Sequence, residues 1–185
     1  MKRTTVLALA LLFAVTARAD VAQKPADEPL LFVAEMTGRN VAPAAVDTAA
    51  AARATGLLVG SRFIVHGSFT ALSSALRDIA KTPDDPGVHL HPGAAGETTK
   101  YFFGLKVRLN ADERSGIFFG ETTLTDAQRA MLLASRMYID IHTVKNGPGE
   151  VRDQWRPLAA EKAQAILARS ADHAKAAVVA GGPCH

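Results

Sequence analysis

From Leu30 to Trp155 the chain repeatedly alternates apolar and polar positions with a period of two, the mark of strands with one face in a core. The runs are Leu30–Thr37, Ala54–Gly67 (broken or bulged near Gly60), Val88–His91, Thr99–Leu109, Ser115–Leu124, Met137–Val144 and Glu150–Trp155. Turn-forming stretches separate them, notably Thr82-Pro83-Asp84-Asp85-Pro86-Gly87 and Lys145-Asn146-Gly147-Pro148-Gly149. Short strands punctuated in this way predict a mainly β fold, an antiparallel sandwich or barrel. Two short helices are expected between strands. One covers Ser73–Ala80. The other opens at Thr125, whose spacing to Gln128 is that of a capping box ahead of Met131, Leu132 and Leu133.

After Trp155 the pattern changes. Leu158 to Ala177 is rich in Ala, Glu, Lys, Gln and Arg, with Pro157 suited to a first helical turn, so a C-terminal α-helix is expected over 158–180. Its large apolar residues are few. The last five residues, 181–185, read as a tail holding the single cysteine, Cys184, which has no partner for an internal disulfide.

The other end carries a different signal. Met1-Lys2-Arg3, an apolar run from Val6 to Val15 and then Ala17-Arg18-Ala19 have the layout of a secretory signal peptide over 1–19, followed by a leader over 20–29. The apolar run is too short to span a bilayer. A periplasmic or secreted protein is therefore expected, with no membrane span once the signal is removed. Cleavage would also take Lys2, Arg3 and Arg18, lowering Lys+Arg from 21 to 18 and matching the 18 acidic residues. With the net charge gone and no dense basic run, nucleic acid is not expected as a partner.

The alternation also places candidate chemistry. His89 and His91 point to one side of their strand while Val88 and Leu90 point to the other, and Tyr138, Asp140 and His142 oppose Ile139 and Ile141 in the same way. If the two strands meet, three imidazoles converge. Imidazole suits copper, zinc and nickel, and three of them with water would make an open metal site. Asp140 or Glu150 would then orient a ring through its second nitrogen, with Arg152 nearby on the face of Glu150. The alternative is a structural polar cluster in which these side chains tie strands and loops together. His66 is a further ligand only if its strand adjoins the others. No nucleophile elbow or phosphate loop is present. A hydrolytic carboxylate pair of Asp140 with Glu150 has no groove to support it.

Two segments carry a family resemblance: His89-Leu90-His91, and Tyr138-Ile139-Asp140-Ile141-His142-Thr143 with the following Gly149-Glu150-Val151-Arg152-Asp153-Gln154. With Gly116-Ile117-Phe118-Phe119-Gly120 between them in order, they make residues 31–157 resemble the CHRD domain, a module named after chordin. Asp140 stands where the family often has Asn, and Asp153 where it usually has Gly. The resemblance implies an immunoglobulin-like β-sandwich over 30–157. It also implies a distant likeness to copper/zinc superoxide dismutase, with His89, His91 and His142 at the matching copper positions. The expectation is a binding module, with an unidentified extracytoplasmic protein partner and copper or zinc as the candidate ion. A dismutase-like redox enzyme, or a purely structural domain, stands as the alternative.

Overall fold

The computed structural model describes residues 28–77, 87–159, 161–166 and 168–169. The elements, in order, are β1 (Leu30–Thr37), β2 (Ala51–Val59), β3 (Arg62–Thr70), β4 (Val88–Pro92), β5 (Phe103–Gly104), β6 (Lys106–Leu109), β7 (Gly116–Thr123), α1 (Asp126–Leu133), β8 (Met137–Ile141), β9 (Val151–Gln154) and β10 (Arg156–Pro157). A single 3-10 turn at Gly38–Asn40 follows β1. The fold is mainly antiparallel β with few short helices, as the alternation predicts.

All strands belong to one sheet, in the order β5-β4-β8-β9-β1-β2-β3-β7-β6, with β10 also on β1. Its two ends lie on one continuous stretch of chain. Phe103 and Gly104 pair with β4, Lys106–Leu109 pair with β7, and the Leu105 N–H between them bonds the Val88 carbonyl at 2.9 Å. The sheet thus curls into a nearly closed barrel. The run Thr99–Leu109, expected as one strand, is instead a covering segment followed by two short strands. It has to change neighbours at Leu105, and that swivel prevents a single ladder.

The barrel is filled by the apolar positions of the alternation. Phe63, Val65 and Phe69 of β3, Phe32 of β1, Phe118 of β7, and Leu90, Ile139 and Val151 all lie within the core. Trp155 is fully buried and meets Phe63 edge-on at 5.4 Å. It stands between β9 and β10. Beside it the Glu35 N–H donates to the Asp153 carboxylate at 2.7 Å. Asp153 also accepts from Asn40 at 3.1 Å and from both Nη atoms of Arg156.

The interrupted run at Gly60 is a hairpin, with β2 and β3 paired from Ala51↔Thr70 to Val59↔Arg62. The capping box forms as expected: the Gln128 N–H donates to Thr125 Oγ1, and the Gln128 side chain accepts from the Thr125 N–H. The helix expected at Ser73–Ala80 does not form in its described part. Ser73 donates both its N–H and its hydroxyl to Glu150, the Arg77 N–H donates to the His142 carbonyl, and Leu76 bridges to Thr143. Those donors are taken by tertiary acceptors before a helical ladder can use them. Residues 78–80 lie outside the described residues. Past β10 the backbone is helical at 161–166 and 168–169. The remainder of the expected C-terminal helix, the tail with Cys184, and the expected signal segment are also outside the described residues. Among the described residues, no helix is long and apolar enough to cross a membrane.

Candidate metal centre

β4 and β8 lie side by side in antiparallel register, with His89 opposite Asp140 and His91 opposite Tyr138. Cross-strand partners share a face. Val88, Leu90, Ile139 and Ile141 therefore all enter the barrel core, and His89, His91, Tyr138 and Asp140 meet on the outside. His142 continues that outer face one residue past β8. Its N–H bonds the Gly87 carbonyl at 2.7 Å, which holds the end of β8 to the start of β4. Gly87 has φ +75°, and a Cβ there would stand 2.5 Å from the Arg77 carbonyl oxygen, so glycine is required.

An outer face of a barrel ordinarily meets water, yet this one is sealed. His89 is 0 % exposed, His91 5 %, Asp140 4 % and His142 8 %. Two connections form the cover. The segment after β4 lays Tyr101 against His89, ring centroids 4.2 Å apart. It also places the Thr99 carbonyl 2.8 Å from His91 Nδ1. The loop between β8 and β9 brings the Gly147 carbonyl within 2.9 Å of His142 Nδ1.

One ligand atom each from His89, His91, Asp140 and His142 falls within 4.8 Å of all the others. His91 Nε2 and His142 Nε2 each lie 3.0 Å from the same oxygen, Oδ1 of Asp140. The contact to His142 is out of line for a good hydrogen bond. A backbone carbonyl only accepts, so the Nδ1 atoms of His91 and His142 carry protons and donate them to Thr99 and Gly147. In the neutral rings Nε2 then bears a lone pair, and both nitrogens lie 3.0 Å from one anionic oxygen, that of His91 in line with it. Such a cluster is held only by a proton or by a cation among the donors. Burial alone pushes the Asp140 carboxyl up, but its contacts with His142 and His91 prevail and hold it at about 2. Burial lowers His142, and the neighbouring Asp140 more than reverses this, leaving the imidazole above its ordinary value.

The sequence-derived site residues thus fall into separate places. His89, His91 and His142 come together. Asp140, expected behind an imidazole, stands inside the donor set, and the second nitrogens of His91 and His142 are held by carbonyls instead. Glu150 is elsewhere: its carboxylate accepts from Thr48 Oγ1 at 2.6 Å, Ser73 N at 2.9 Å, Ser73 Oγ at 3.0 Å and Thr143 Oγ1 at 2.7 Å. Arg152 reaches the site through a stack. Its guanidinium carbon lies 3.5 Å from the Tyr138 ring centre, and Tyr138 lies 4.4 Å from His91 at an interplanar angle of 11°. His66 is exposed on β3, outside the cluster. Tyr101 and the carbonyls of Thr99 and Gly147 carry no sequence signal, because their roles depend on how the covering loops fold back, whereas alternation already places Tyr138 on this face.

The donor set suits a borderline divalent ion: three imidazoles and one carboxylate, all buried, with the His91 and His142 rings held from behind by carbonyls. No curated protein and no solved structure matches the chain, so the dismutase likeness rests on the histidine pattern alone. A family model, described as the CHRD domain, matches residues 32–155. That stretch includes every strand pair of the candidate centre and most of the barrel, and the chain belongs to the CHRD domain family.

Proposed function

We propose that this is an exported CHRD-domain binding module that holds one divalent transition ion, zinc by the nature of its donors, on His89, His91, His142 and Asp140. The observation that carries the reading is the pair of Nε2 atoms 3.0 Å from one carboxylate oxygen, with their Nδ1 protons already committed to carbonyls. Four protein donors fill a tetrahedral shell, the arrangement of structural zinc sites, whereas turnover requires an open position. The burial of all four side chains likewise favours a structural ion over a dismutase-like redox centre, which would need access for its substrate. The ion would fasten β4, β8 and the covering loops, and so shape the surface that those loops present. CHRD domains generally serve protein interaction, and an extracytoplasmic protein is the fitting class of partner. Export rests on the pattern of residues 1–19.

The test is metal content after loading with zinc or copper and desalting, beside the triple variant His89→Ala/His91→Ala/His142→Ala. About one zinc per chain, lost in a variant that keeps its β-sheet circular dichroism, is the expected result. Preferential retention of copper, with superoxide consumption by the loaded protein, would support the redox reading. Retention of neither ion would leave the cluster as a protonated structural pair.

A further inference from the structure

We propose that the cleft beside the metal centre, between the turn after β1 and the segment after β4, is a binding site for an oxyanion: a carboxylate or phosphate group carried by a small organic ligand. The cleft has a volume of about 430 Å³, and Arg39, Arg152 and Arg156 all line it. The charges in it do not balance. Arg152 is only 4 % exposed, yet among the described residues no carboxylate lies within ion-pair distance of it. Its contacts are the Tyr138 ring and a long hydrogen bond of 3.3 Å to the Ala94 carbonyl. Burying a guanidinium without a counter-ion is costly, and the usual remedy is a bound anion. Arg39, on the exposed rim, also has no ion pair among the described residues.

Asp153, the acidic residue of the lining, cannot supply the missing charge. Its two oxygens already take the Glu35 N–H, the Asn40 amide and both Nη atoms of Arg156. Glu97, in the turn beside the cleft, is tied to the Ala94 N–H at 2.8 Å. Arg39 and Arg152 are left as unneutralised forks, and the guanidinium fork matches the paired oxygens of carboxylate and phosphate. The volume exceeds that of a bare inorganic anion and lies in the range of small-molecule sites. Val41 and Pro43 supply an apolar wall, and nothing stands within 4 Å of where a Cβ on Gly96 would sit, so the mouth is open. Tyr138 separates Arg152 from His91, so the anion would not be a metal ligand. This proposal does not depend on the metal reading.

The experiment is an NMR amide-shift titration of the full chain with sodium phosphate, and separately with sodium acetate, against sodium chloride at equal ionic strength. The expected result is saturable binding of at least one oxyanion, with shifts centred on residues 39–43, 94–96 and 152–156. Binding should weaken by about tenfold or more in Arg39→Gln, whose exposed side chain makes it safe for folding, and in Arg152→Lys, which keeps the charge but loses the fork. The tighter of the two probes identifies the headgroup. A linear response equal to that of chloride would overturn the proposal. So would binding unchanged in both arginine variants, or binding abolished by the histidine triple variant while the arginine variants retain it.

Discussion

Asp140 decides how the centre behaves, because it is the anion on which two imidazole nitrogens converge. Asp140→Asn keeps the shape and removes the charge. Zinc affinity, measured by competition with a chelator, should fall by more than about tenfold, since even groups outside the donor set commonly cost that much. On the proposed metal reading, uptake would have to displace the proton that Asp140 holds on the histidine pair, so zinc affinity should fall as the medium is acidified through the raised His142 value. Glu150 is the contrasting carboxylate. Its donors are hydroxyls and one backbone N–H, and these overcome burial to hold its pKa below the ordinary value. Its folded value lies below the unfolded value of about 4.3, so its contribution is complete above that pH and vanishes as pH falls through the folded value. Glu150→Gln should cost about 2 kcal/mol at neutral pH. It should also flatten the acid limb of a plot of Tm against pH. At this scale the sequence was informative where alternation governs: residues two apart in a strand share a side, so the convergence of His89, His91, Asp140 and His142 needed only the pairing of their strands. Alternation also put Glu150 and Arg152 on one side of β9, but it carries no information on reach. Glu150 turned to Thr48, Ser73 and Thr143, and Arg152 came to rest on Tyr138.

Elements were legible in proportion to how local their causes are. The helix α1 was announced by Thr125 and Gln128 because a capping box is satisfied within four residues. The run Ala54–Gly67 showed a break or bulge near Gly60, which is where the hairpin of β2 and β3 turns, though the two strands extend beyond that run. Ser73–Ala80 misled because the acceptor that captures Ser73 is Glu150, far along the chain, and no local pattern encodes it. Thr99–Leu109 misled because its neighbours change at Leu105. The juncture of β4 and β8 depends on Gly87. Gly87→Ala would force a side chain into a left-handed conformation against the Arg77 carbonyl. The expected loss of more than about 1 kcal/mol of stability would be seen in chemical denaturation. Bound zinc should recover part of it, because a ligand of the folded state stabilises by mass action.

At the scale of the described domain, the sheet is rolled until its two end strands, Phe103–Gly104 and Lys106–Leu109, are separated only by Leu105. Leu105, fully buried at the swivel, is the pin of that closure. Leu105→Ala should destabilise the domain by about 2–5 kcal/mol in denaturant unfolding, the usual range for a leucine truncated in a core. Closure has a second consequence, concerning what the domain can recognise. An open sheet offers a bare row of amide and carbonyl groups, on which another chain can add itself as a further strand. Here the segment through Leu105 covers β4 at one end of the ladder and the Gly116–Phe119 part of β7 at the other, so only short stretches of that row are left among the described residues. That favours a partner that reads side chains and loop backbones over one that extends the sheet. Copies crowded together therefore gain little by way of a strand-by-strand route into fibres.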